Sequence, residues 1–405
     1  MATYGEPGTN FALKVGVEDV GLIGDYDPRV YTGHRAIMDY VKDCVDFLPI
    51  TQSATNWRFE TTKNCDFYGR WWLAFDVAVA TTGGTYKRLV DGFGLFCFER
   101  IEVRVGSNLL QTIYPGVDTF ARYVKNLNNE SRSKLYPPVG LGLPVALRTT
   151  LAQGTQRFCV PIDTWWWDAI EKQPIVCGIQ QGLQVLVYLN PAATVVQTDG
   201  TAPTLTFTNV SLRTEETIVP EENRVMKVRS VMQPNQINYF FKQLVQLPAY
   251  IDVPIGTTSL ENISLQGFIG PIYEFWFLCR RLADWSVDNQ YDYTNLSEDY
   301  NFDSFDIRCN NQYLIRPFDV KSFIKPYTDE RCYTGAGCPI IFISPSEDPE
   351  SSDTATGHIN LQFSTNATLA LRWNTPTTET LRIQLNGRRY NWIQHTGGTL
   401  RTIFG

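Results

Sequence analysis

Residues 98–112 read FERIEVRVGSNLLQT. In ERIEVRV, alternation sets Ile101, Val103 and Val105 on one face of an extended chain and Glu102 and Arg104 on the other, the pattern of a half-buried antiparallel strand. Gly106 then marks a turn into a second apolar run. Runs of the same kind, β-branched and aromatic and punctuated by Gly, Pro, Asn and Asp, recur at Trp71–Ala80, Leu183–Leu189, Leu205–Leu212, Tyr273–Arg280, Ile340–Ile343 and Ala367–Trp373. Aromatics supply 13% of the chain, and alternating Glu/Lys runs are scarce, so composition and periodicity both favour strands.

Helical spacing is rare. Asp118–Leu127 (DTFARYVKNL) places Phe120, Tyr123, Val124 and Leu127 on one helical face, with Asp118 able to cap it. Phe318–Ile324 (FDVKSFI), ended by Pro326, predicts a second short helix. Each follows a group of strands in its own half of the chain, a hint of structural duplication.

The 405 residues are about twice the usual size of one domain. The charged stretch Thr214–Arg224 (TEETIVPEENR) is the best boundary, giving an N-terminal segment 1–45, a first unit 46–216 and a second unit 217–405. Residues 1–45 lack a clean strand pattern until about Ile37 and read either as an arm that wraps a neighbour or as a loose tail. The stretch 115–150 is too long for a bare hairpin, and loops of that size usually carry function or contacts.

A net charge of −7 excludes a protein held to nucleic acid by bulk positive charge. The start, MATYGEPGTNF, has neither the basic nor the apolar region of a signal peptide, and no apolar run reaches the roughly 18 residues of a membrane span. The expectation is a soluble protein made without a secretory leader. Nine cysteines are scattered, with no CxxC, and only His34, His358 and His395 could join them, so reduced thiols are expected and a zinc site is not.

Five blocks in order resemble the double-jelly-roll major capsid proteins of large eukaryotic DNA viruses, virophages and their relatives. Phe98–Thr112 looks like that family's strand, Gly-turn and strand. Phe158–Asn190 looks like its block of an aromatic cluster followed by a strand. Gly270–Arg281 (GPIYEFWFLCRR) is similar to a Gly/His-Pro strand of the family, with Tyr273 where Lys is common. Phe342–Trp373 resembles its most specific block: His358-Ile359-Asn360 and Asn366 stand in matching places, while Phe363-Ser364-Thr365 replaces an Arg-apolar-Asp triplet. Arg389–Phe404 (RYNWIQHTGGTLRTIF) looks like its closing strand.

The resemblance spans roughly residues 55 to 404. It implies an all-β chain of two tandem eight-stranded antiparallel jelly-roll sandwiches, a double jelly roll, with short loop helices. It also implies a structural major capsid protein whose pseudo-hexagonal homotrimeric capsomers tile an icosahedral DNA-virus shell. The implied partners are the chain itself, minor capsid and penton proteins, and an inner membrane or genome at the shell interior, with no small-molecule substrate. The implied location is the virion capsid, assembled in the host cell interior. A capsid-like scaffold that shapes membranes during assembly uses the same fold.

Catalytic, cofactor-binding and metal-binding residues are all read as none, and no cofactor is implied. GxSxG, HExxH, P-loop and GxGxxG motifs are lacking. Trp165-Trp166-Trp167-Asp168 could stack sugars, but consecutive indoles alternate faces, and packing is the expected role there, as for Trp71 and Trp72. Asp284–Asp306 is rich in carboxylates and reads as a solvated loop. These two features motivate the rival reading, a two-domain β-sandwich that binds or cleaves carbohydrate.

Five N-x-S/T triplets, at Asn129, Asn209, Asn262, Asn295 and Asn366, are expected to go unmodified. Arg388 and Arg389, and Arg122, Lys125, Arg132 and Lys134, form local basic clusters. They read as solvated faces or as contacts with neighbouring capsomers, minor proteins, membrane or nucleic acid.

Overall fold

The computed structural model describes residues 41–90, 92–119, 121, 145–167, 174–221, 225, 236–246, 250–282, 303–310, 312–319, 340–346, 355–361, 364 and 366–403. The first half contributes β1 (Val41–Phe47), β2 (Thr51–Gln52), β3 (Asn56–Glu60), β4 (Phe67–Thr82), β5 (Lys87–Leu89), β6 (Phe98–Val105), β7 (Asn108–Ile113), β8 (Thr155–Pro161), β9 (Leu183–Leu189), β10 (Val196–Thr198) and β11 (Thr201–Ile218). The second contributes β12 (Ile237–Gln246), β13 (Ile251–Val253), β14 (Ser259–Ser264), β15 (Pro271–Arg281), β16 (Ser304–Cys309), β17 (Gln312–Asp319), β18 (Ile340–Ile343), β19 (Ile359–Asn360), β20 (Ala367–Arg372), β21 (Leu381–Thr396) and β22 (Thr399–Thr402).

Each half is two antiparallel sheets closed over a core. In the first, β1-β11-β4-β8 faces β2-β3-β9-β6-β7, with β5 and β10 forming a separate ladder. The alternation predicted for Ile101, Val103 and Val105 holds: all three are buried. Val185 and Val187 of β9 and Trp57 and Phe59 of β3 join them, and Trp57 reaches Phe75 of the opposite sheet with ring centroids 5.7 Å apart. In the second half, β12-β21-β15-β18, extended by β13, β19 and β22, closes over β14-β20-β16-β17. Ile272, Phe275, Ile383 and Leu385 meet Phe305, Ile307, Leu369 and Leu371 there. At about 25 cal/mol per Å² of buried apolar area, such facing aromatic and aliphatic layers dominate the favourable side of folding.

Gly182, entering β9, passes so close to Thr61 that an added Cβ would lie 2.3 Å from its carbonyl oxygen. Strand β1 begins at Val41, which pairs with Ile218 at the end of β11.

Three expectations change. Phe318 and Asp319 end strand β17 rather than begin a helix, because they pair with Phe305 and Ser304; residues 320–324 lie outside the described residues. Asp118 sits inside a π-helical turn, Pro115–Thr119, instead of capping a helix. Of the remaining positions, Ala121 is helical, and Phe120 and 122–127 lie outside the described residues. Ser304–Cys309, read in part as the end of a solvated loop, is strand β16 and holds a buried Asp306. Residues 1–40 of the N-terminal segment also lie outside the described residues.

The two halves share a beam. The first turns of β21 put Leu381, Ile383 and Leu385 into the second core, whereas Ile393 near its end, with Tyr239, Phe241, Leu244, Trp276 and Leu400, packs into the first. Between them, residues 385–391 are buried on both faces.

Candidate functional site

The residues singled out in the sequence do not converge. Trp165 and Trp166 are buried: Trp166 meets Trp71 edge-on at 5.0 Å and donates its indole N–H to the Gly69 carbonyl, and Trp165 lies 6.3 Å from Phe241 of the second half. Trp167 is half-buried, edge-on to Trp72 at 5.5 Å with the Arg70 guanidinium over its ring. With two of three indoles inside, the run packs the core and offers no three-ring platform for sugars. Asp168 lies outside the described residues, as do 283–302 of the carboxylate loop, His34, Cys332, Cys338, Asn129, Asn295, Arg122, Lys125, Arg132 and Lys134.

Asp303 and Asp306, the described end of the carboxylate run, are both occupied. Asp303 Oδ2 accepts the Asn374 N–H, and the fully buried Asp306 is clamped by Arg372 at 2.6 Å and Arg308 at 2.8 Å. His358 is exposed beside Tyr390, and His395 is buried at the far end of β21. No cluster of three or more His, Cys, Asp or Glu able to hold a metal occurs among the described residues. Cys65 and Cys97 are buried, and burial pushes the Cys97 thiol well up. Asn209 lies in β11 at φ 49° and donates to Asp76; Asn262 adopts φ 64° in β14, and Asn366 directly precedes β20.

Arg388 and Arg389 do not form a solvated basic face. Both are buried, because the middle of β21 runs between the two halves. Arg388 directs Nη1 to Glu274 of β15 at 2.8 Å and Nε to Asp118 of the first half at 2.8 Å, with its guanidinium carbon 4.8 Å from the centre of the Trp276 ring. Charges this deep persist only when paired and hydrogen-bonded. Arg389 donates to Gln243 Oε1 and to the Ile269 carbonyl, and Asn391 donates to the same Gln243 oxygen. Burial holds the Arg389 guanidinium below its ordinary range.

Further along the seam, Gln180 of the first half donates its backbone N–H to Gly398 and its side-chain amide to Gly397, and Asn108 donates to the Leu400 carbonyl. Sequence reasoning missed this seam. Its one legible signal was Glu274, a lone carboxylate inside the aromatic strand YEFWF. What the arrangement supplies is rigidity: two sandwiches fixed side by side by a buried ion triad and shared apolar packing.

No protein-family model matches the chain, and no curated protein matches it. Solved structures do. The PBCV-1 virus capsid, as a quasi-atomic model, aligns at TM-score 0.70 and 14% identity over 93% of this chain and 100% of that one. The Faustovirus major capsid protein aligns at TM-score 0.70 and 10% identity over 94% and 95% of the two chains. The mavirus major capsid protein aligns at 0.53 and 10% over 89% and 90%. At such identities the likeness is one of fold, and that fold is the double jelly roll expected from the sequence.

Proposed function

We propose that this chain is a structural major capsid protein, acting as a pseudo-hexagonal homotrimeric capsomer that tiles an icosahedral DNA-virus shell. The observation that carries the reading is end-to-end correspondence. Both rolls align in order over 93% of this chain and the whole of the PBCV-1 capsid chain. Three copies of a two-roll wedge around an axis give six similar sandwiches, so a trimer imitates a hexagon and closes a lattice. The mechanism is burial of surface: obligate interfaces commonly exceed roughly 2,000 Å², and many weak trimer–trimer contacts add by multivalency.

In this reading the chain is not an enzyme, takes no small-molecule substrate and resides in the virion capsid after assembly inside the host cell. The units are 46–216 and 217–405 behind an N-terminal arm 1–45, with β1 and β11 carrying the ends of the first unit's sheet to Val41 and Ile218. Loops 115–155 and 284–335 reach across the trimer, and minor capsid and penton proteins, with membrane or genome inside, complete the shell. The root of the first loop is fastened at Asp118 to Arg388 and at Thr119 to Asp163, which supports presentation in a fixed direction.

Light scattering after size exclusion, without denaturant, tests the reading. The expected mass is three times 46.1 kDa, about 138 kDa. A clean monomer at high concentration overturns the capsomer, and glycan binding by that monomer would favour the carbohydrate reading instead.

A further inference from the structure

We propose that His395 is an acid-sensitive latch on the seam between the two rolls, such that proton uptake at Nδ1 loosens the β21–β22 hairpin from segment 174–182 of the first roll. This inference stands on the seam and does not rest on the proposed function.

His395 is fully buried near the end of β21, paired across the sheet with Ile237 of β12 and Leu400 of β22. Nε2 lies 3.3 Å from the Gly178 carbonyl oxygen of the first roll, a geometry that requires the proton on Nε2. Nδ1 is then the unprotonated nitrogen, and it has no hydrogen-bond partner among the described residues. A second proton therefore arrives at a buried atom with no acceptor to receive it.

The surroundings do not compensate. On the packed elements, the charged and titratable residues are Lys63 and Asp66 of the first roll, Cys177 of segment 174–182, Tyr239 and Lys242 of β12 and Arg401 of β22. Lys63 places its ammonium on the Ile179 and Gln180 carbonyls, next along the chain from Gly178, and supplies no counter-charge. Asp66 directs Oδ2 to the Val219 N–H, Tyr239 accepts the Ile175 N–H, and Arg401 is held by Gln394. The bonds from Gln180 to Gly397 and Gly398, and from Asn108 to Leu400, cross this end of the seam between neutral groups. The contact is also tight, since a Cβ on Gly398 would lie 3.1 Å from the Gly178 carbonyl oxygen.

Burial accordingly pushes the His395 imidazole down to about 4 from its ordinary 6.5. A histidine whose folded value is depressed favours the closed seam above 6.5. The open seam binds the proton more readily, so closure weakens as pH falls through 6.5, and the loss is complete below about 4. The full excursion is on the order of 100-fold in the opening equilibrium.

Hydrogen exchange on the full chain, corrected for intrinsic rates, reads the opening at the Gln180 N–H and across residues 392–402. Between pH 7 and pH 4 the wild-type protein should lose on the order of 100-fold more protection there than His395→Gln, which keeps a donor for Gly178 but cannot take up the proton. Equal losses in the two proteins overturn the latch. A proton NMR titration of the wild-type imidazoles decides independently of whether the variant folds. A resonance of His395 titrating near 4 supports the proposal, and one titrating near 6.5 overturns it.

Discussion

Arg388 and Asp118 stand 270 residues apart in sequence and 2.8 Å apart in space, Nε to Oδ1, with the same guanidinium holding Glu274 on its other side. This triad is where the second roll grips the root of the first roll's long loop. Replacing Arg388 by Met removes a cation from the fully buried Glu274 carboxylate, and stability should fall by about 3–5 kcal/mol. The paired change Arg388→Met with Glu274→Gln should recover much of that loss, because the stranded charge goes with its partner. Urea unfolding of the single and the paired variant measures both effects. Equal losses in the single and paired variants would count against a charge-based role.

Trp166 is the second point of high sensitivity. It is enclosed by Trp71 and Trp165 and donates its indole N–H to Gly69. Trp166→Ala should cost about 3–5 kcal/mol through the cavity alone, and Trp166→Phe less. Trp167→Ala, at a half-exposed ring, should cost far less. Thermal denaturation of the three variants would show the order, and equal costs would mean the rings do not divide into core and surface as described.

Much of this architecture is legible in local sequence. Leu183–Leu189 alternates, and β9 has the bounds the alternation sets, because one face meets the core and the other does not. Glu102 shows where such reading fails. Its position on the outer face was legible, but its burial was not, since Arg100 and Arg104 of the same strand fold over it from both sides. Arg388 and Arg389 fail for a related reason. A doublet of arginines reads as surface until a second sandwich is laid against the strand, and that layer is set by contacts hundreds of residues away. The aromatic run 165–167 sits between the cases, as alternation foretold at least one inward ring while the chain there turns and sends two inside.

Glu216 should make stability depend on pH in a direction opposite to the usual ion-paired carboxylate. Burial raises its value, with the Thr214 hydroxyl opposing and Asp43 adding to the rise. A carboxyl with a raised folded value stabilises the fold below its unfolded value, and that contribution disappears as pH climbs through the folded one. Glu216→Gln should therefore raise the urea midpoint at pH 7 relative to wild type, with the advantage shrinking at pH 4. An advantage that is larger at pH 4 would reverse the assignment.

Gly398 tests the seam by backbone geometry, without any titration. Its φ of +80° lies in the region that favours glycine, and a Cβ there would meet Gln180 Cγ at 2.8 Å. Gly398→Ala combines left-handed strain with a clash across the two rolls, for a cost of about 1–2 kcal/mol. Gly154, with open space around its Cβ position, is the matched control, and Gly154→Ala should be near neutral. Because the Gly398 clash falls on a bond between rolls, the loss should appear first as faster exchange at the Gln180 N–H, before global unfolding. If Gly398→Ala instead lowers the global midpoint while Gln180 stays protected, the two rolls separate only when both unfold, and the seam is no weaker than the cores it joins.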